Sequence, residues 1–155
     1  MAALDIQIVN KEFQTIYGLW KKSNDKTISA DIAELSKRYH GAVAVPEGEV
    51  LPYFVLSRNY DERSKDFELF IGSTIDHMGL ESFILPAGEY ARATIQPKLG
   101  FLWGIAIGQA KKFVYKKWLP ESSYTALNME YEYHTEKSRG KRPVLELLFA
   151  VQRRP

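Results

Sequence analysis

Hydrophobic and polar positions alternate along this chain in short runs, and the clearest run is the last, Pro143-Val144-Leu145-Glu146-Leu147-Leu148-Phe149-Ala150-Val151. It sets one carboxylate, Glu146, inside an otherwise apolar stretch. The run Asp66-Phe67-Glu68-Leu69-Phe70-Ile71-Gly72 has the same phase around Glu68. A strand that is apolar on both faces is covered on both faces. A carboxylate in such a place must find a partner, take up a proton or wait for a ligand.

The preceding segments read in order as further strands and one helix. Leu4, Ile6 and Ile8 alternate with polar neighbours as a short strand. A second extended segment runs from Glu12 to Trp20, with Gly18 expected to mark a bend or bulge. From Thr27 to Tyr39, Ile28, Ile32, Leu35 and Tyr39 form one helical stripe, and Gly41 is the expected C-terminal cap. Residues 51–59 and 67–75 then read as two strands joined by a polar turn.

The second half repeats this order. Ser82 to Leu85 and Glu89 to Gln96 are strands, and Lys98 to Trp118 is a helix with an apolar stripe through Leu99, Leu102, Trp103, Ala106, Ala110, Phe113 and Val114. Gly100, Gly104 and Gly108 share one face of it, where a neighbour is expected to pack closely. Tyr124 to His134 and Val144 to Gln152 complete the series. Ile6 matches Phe83, Phe13 matches Tyr90, Ile28 matches Ile105 and Glu68 matches Glu146 at a nearly constant offset. The expected fold is therefore α+β: two β-β-α-β-β units, about 4–76 and 81–152, joined with pseudo-twofold symmetry into one domain over 1–155. Its curved antiparallel sheets carry the helices on one side.

Strand alternation then sorts the acids. In the penultimate strand Leu127, Met129, Tyr131 and Tyr133 oppose Asn128, Glu130 and Glu132. If the apolar faces cover the helices, Glu130, Glu132 and Glu146 share the face away from them, with Glu68 as the counterpart in the first unit. Such an acidic floor under aromatic walls would attract lipophilic cations. Tyr53, Phe54, Tyr90, Phe101, Trp103, Tyr131 and Tyr133 can each line that pocket or fill the core, and Trp103 is the leading wall candidate.

Composition narrows the classes. Among the 155 residues, 45% are apolar and 13% aromatic, which fits a packed domain. There is no cysteine, so a disulfide frame, a thiol nucleophile and a cysteine-based zinc site are excluded. His40, His77 and His134 are far apart in sequence and are expected in or beside turns, without metal-ligand spacing. No nucleophile elbow, P-loop or dinucleotide fingerprint is present. The net charge of +2 gives no concentrated basic footprint for nucleic acid. No signal peptide or membrane span is legible. The expectations are a cytoplasmic protein, monomeric or weakly dimeric, with no cofactor, no metal, no nucleic acid and no membrane partner.

The segments Leu85-Pro86-Ala87-Gly88-Glu89-Tyr90, Trp118-Leu119-Pro120-Glu121-Ser122, Met129-Glu130-Tyr131 and Leu145-Glu146-Leu147 resemble the gyrase-inhibitor-like (GyrI-like) domain. That domain is the effector-binding part of bacterial multidrug-responsive transcription activators and also occurs alone. The resemblance spans 4–152, which is expected to leave no room here for a DNA-binding helix-turn-helix. One departure is Phe149-Ala150-Val151, where members commonly carry a proline. The resemblance implies a stand-alone domain that binds hydrophobic, often cationic small molecules against a buried Glu of the penultimate strand, which corresponds to Glu130. Glu146 would be the neighbouring acid of the last strand. Two other activities follow from the same resemblance: hydrolysis of strained-ring lipophilic genotoxins by a pocket Glu, and binding of a protein partner.

Overall fold

The computed structural model describes residues 4–45, 50–96, 103–138 and 143–155, with the backbone alone at Trp103. Eight strands form one antiparallel sheet: β1 (Asp5–Lys11), β2 (Gln14–Asn24), β3 (Tyr53–Arg58), β4 (Asp66–Ser73), β5 (Glu81–Leu85), β6 (Gly88–Ile95), β7 (Tyr124–His134) and β8 (Leu145–Arg153). Their spatial order is β1-β6-β8-β7-β3-β4-β2-β5. Exchanging the two halves of the chain reverses that order onto itself, which is the topology of a pseudo-twofold with its axis between β3 and β7. The first strand of each unit is donated to the other: β1 pairs with β6, and β5 pairs with β2. Neither unit therefore completes its own sheet.

Two helices lie on one side of this curled half-barrel. Helix α1 (Ile28–Val43) packs on β2 and β4, burying Leu35 and Tyr39 against Leu69 and Ile71. It runs past Gly41 and ends at Ala44, whose φ of 56° is the left-handed turn that closes the helix. The expected glycine cap is thus displaced by three residues. Helix α2 (Trp103–Phe113) packs on β6 and passes through a wider π turn (Val114–Trp118) into the short helix α3 (Leu119–Glu121). Pro120 follows that turn, and a proline has no N–H to give and crowds the carbonyl four residues before it. A Cβ on Gly104 or Gly108 would meet nothing within 4 Å, so these glycines do not serve a close helix contact as expected.

The sheet is buried on both faces. Beneath α1 and α2 lie two apolar clusters, one built around Leu69 and Ile71, the other around Leu147 and Phe149. Among the described residues no helix covers the opposite face, yet Phe54, Leu56, Phe70, Tyr90, Tyr131 and Leu148 are almost fully buried there. Side chains from all eight strands meet in that cluster, because the sheet curls over itself. Gly18 and Gly72 help it do so: they face each other across β2 and β4, and a Cβ on either would run into a carbonyl oxygen of the opposite strand.

Pairing and packing also correct two sequence matches: Ile6 packs beneath α2 while Phe83 packs in the inner cluster, so these two do not correspond, and neither do Phe13 and Tyr90. Tyr90 faces Ala150, and Gly18 faces Gly72. With Glu68 matched to Glu146, the counterpart of Tyr90 is Gly18 rather than Phe13. Phe13 lies between β1 and β2 and is 67% exposed.

Candidate functional site

The site is organised by the central pair, β3 and β7. Its register sets Tyr53 opposite His134, Val55 opposite Glu132 and Ser57 opposite Glu130. On the other side of β7, Glu130 faces Phe149, a residue of the cluster beneath α2. Glu130 and Glu132 therefore point to the helix side. Glu146 faces Tyr133 and Thr94 and points the other way, toward Tyr131 and Leu148. The expected common floor of Glu130, Glu132 and Glu146 is corrected here: the acids of β7 and that of β8 lie on opposite faces. The apolar face of β7 does not cover a helix, because the inner cluster of the curled sheet takes it instead. An acid–base pair of Glu130 with Glu146 is thereby ruled out by geometry.

Over Glu130 lies a groove of about 970 Å³ between the start of α1 and the far end of α2. Ile28, Tyr60, Phe67 and Tyr115 give it apolar walls, and Asn128 borders its floor. Asn128 sits in an irregular stretch where β7 carries extra residues against β8, with a φ of 58°. A short polar side chain tolerates that conformation. Its amide clamps the neighbouring loop, with Oδ1 accepting from the Tyr60 N–H at 2.8 Å and Nδ2 donating to the Tyr60 carbonyl at 3.0 Å.

The charge at the floor is only partly answered. Lys111 Nζ lies 3.6 Å from Glu130 Oε1, with the two side chains 23% and 15% exposed. Burial pushes the Lys111 ammonium down, but Glu130, Glu132 and Asp25 together more than offset this, and its pKa ends above the usual lysine value. Glu130 Oε2 is buried and has no hydrogen-bond partner among the described residues. An unsatisfied buried oxygen of this kind costs about 1–3 kcal/mol. The Tyr115 phenol stands beside it. Burial first, and then the Glu130 carboxylate, hold that phenol protonated well above its ordinary range. Even so, it makes no hydrogen bond of proper length and angle with Oε2.

Further along the same face, Glu132 Oε1 lies 3.1 Å from His134 Nε2. Tyr53 packs between His134 and His40, and its hydroxyl donates to Ser36 Oγ at 2.9 Å. His40 is buried in the last turn of α1. Among the described residues, no group of three or more His, Asp or Glu side chains could hold a metal ion. No described helix is long and apolar enough to cross a membrane.

The remaining candidates lie apart from the groove. Phe54, Tyr90 and Tyr131 belong to the inner cluster of the curled sheet. Tyr90 donates to the Pro86 carbonyl at 2.7 Å, and burial pushes its phenol up to about 12. Burial, Tyr90, Tyr133 and Glu146 raise the Tyr131 phenol further. Glu68 is 43% exposed, with Oε2 accepting from Arg58 Nε and Asn59 Nδ2 at 2.9 Å. Arg58 in turn lies over Trp20, 4.2 Å from its ring centre. Phe101 is outside the described residues, as is the Trp103 side chain. Sequence reading missed Lys111, Tyr115, Tyr60 and Phe67. Lys111 and Tyr115 stand four apart on one helix, a spacing that would have paired them.

No protein-family model and no curated protein matches the sequence. Solved structures do match its fold. A putative transcription regulation protein from Staphylococcus aureus superposes with a TM-score of 0.70 at 11% identity, covering 97% of this chain and 99% of the other. SAV2435, solved bound to tetraphenylphosphonium, gives 0.70 at 12% identity over 96% and 94%. The C-terminal domain of EcmrR gives 0.57 at 12% identity over 97% and 98%. This chain shares the fold of these three structures over nearly its whole length.

Proposed function

We propose that this protein binds hydrophobic small molecules, cations among them, in the groove between α1 and α2, and so sequesters or senses them. One observation carries the reading: Glu130 presents a buried carboxylate oxygen, unpartnered among the described residues, at the floor of a groove large enough for a drug-sized molecule. Tyr60, Phe67 and Tyr115 supply apolar and aromatic contact around it, and a cation against such rings gains about 0.5–2 kcal/mol per contact. The fold shared with SAV2435, whose structure holds tetraphenylphosphonium, supports the same use.

Fluorescence titration with rhodamine 6G, a lipophilic cation that carries N–H groups, tests it. Glu130→Gln should weaken binding about tenfold, the worth of a hydrogen bond to a charged group. Glu146→Gln, on the other face of the sheet, should leave it unchanged. Equal affinity in wild type and Glu130→Gln would overturn the assignment.

A further inference from the structure

The groove does not lack positive charge. Four lysines line it (Lys65, Lys111, Lys112 and Lys116) against the acids Asp25, Glu62 and Glu130 among the described residues, while Arg58 borders it with its guanidinium turned to Glu68 and Trp20 on the other face of the sheet. The carboxylate at its floor already has a counter-ion, since Lys111 holds Oε1. What goes unanswered is a hydrogen bond to Oε2, which is buried without a donor among the described residues. A permanent quaternary cation brings charge and no donor, so it would meet the excess of lysines while leaving Oε2 unsatisfied. A molecule with an N–H or O–H group would supply the missing donor and leave the Lys111 pair intact.

Resting on the binding reading above, we propose that the groove selects flat lipophilic molecules that carry an N–H or O–H donor, and that Lys111 sets this preference by standing where a ligand cation would otherwise stand. Glu130 Oε2 accepts the ligand's hydrogen bond. The aromatic walls hold the rest of the molecule. Lys111 acts as a specificity-determining residue, because its ammonium occupies the favourable electrostatic position beside Oε1.

The test uses three probes on the whole chain: carbazole, N-methylcarbazole and tetraphenylphosphonium. Carbazole and its N-methyl derivative differ in the donor, and the phosphonium adds a charge without one. Wild type should take carbazole about tenfold more tightly than N-methylcarbazole, and tetraphenylphosphonium no more tightly than N-methylcarbazole. Lys111→Met should raise tetraphenylphosphonium affinity about tenfold, since the carboxylate then lacks its counter-ion. If that variant does not fold, the wild-type ratios decide alone. Equal binding of carbazole and N-methylcarbazole, or a wild-type preference for tetraphenylphosphonium, would overturn the proposal while leaving the groove a binding site. A carbazole preference that appears only in Tyr115→Phe would overturn it too, by showing the tyrosine hydroxyl to be the donor on Oε2. Failure of all three probes, and of rhodamine 6G, would overturn the binding reading itself.

Discussion

On one face of β7, Met129, Tyr131 and Tyr133 pack into the inner cluster of the curled sheet with Phe54, Tyr90 and Leu148. On the other, Glu130 and Glu132 stand beneath the helices, Glu130 paired with Lys111 and Glu132 with His134. Both faces are shielded from water, but by different means. The first is closed by strands of the same sheet, whose side chains pack into one cluster. The second is closed by separate helices that each cover their own half, so a groove remains over the axis between them. Where two repeats meet, the shared sheet is continuous and the helix layer is not. That gap is where a buried acid can stay open to a ligand.

The sharpest way to separate the two faces is to remove a ring from the sealed one. Tyr131→Ala should cost about 3–5 kcal/mol, the usual range for emptying a large aromatic site in a core. Urea denaturation would read it, and a loss under 1 kcal/mol would mean that this face is not the packed core described above.

A middle-sized effect should appear at alkaline pH. Tyr90, on the sealed face, has its phenol raised from 10.0 to about 12 by burial. Between those two pH values the unfolded chain releases a proton that the folded chain retains, so stability falls as pH rises. The loss from this group amounts to about 2–3 kcal/mol. Tyr90→Phe should flatten that part of the decline, as measured by unfolding free energies between about pH 9 and pH 12. A slope identical to wild type would show that Tyr90 does not contribute to it.

The smallest effect is expected at Glu68. Its pair with Arg58 is partly exposed and lies on the sheet face away from the helices, and pairs of this kind contribute about 0–1 kcal/mol. Glu68→Gln should change stability by under about 0.5 kcal/mol and leave rhodamine 6G affinity as it is. A tenfold loss of affinity would bring the outer acid into the site and blur the contrast with Glu130.

Much of the architecture was legible in the chain. Strand alternation, the stripe on α1 and the repeated order of elements sufficed for two β-β-α-β-β units with helices on one side, because periodicity is a local property of the backbone. The resemblance pointed to Glu130 before any geometry was known. The aromatic walls were not legible in the same way. Tyr90, Phe54 and Tyr131 look like wall residues by type, and so do Tyr60, Phe67 and Tyr115. Nothing local to either set tells a ring that fills a core from one that borders a groove.

What the sequence determined by itself was phase: Glu130 and Glu132 had to oppose Tyr131 and Tyr133, since neighbours on a strand point to opposite faces. Which of those faces the helices cover was decided only in three dimensions. Apolarity could not decide it, because a sheet that curls over itself buries its far face as fully as its helix face. The register of β7 against β8, with Glu130 beside Phe149 and Tyr133 beside Glu146, fixed the answer. A shift of one residue in that pairing would have put Glu130 and Glu146 on one floor.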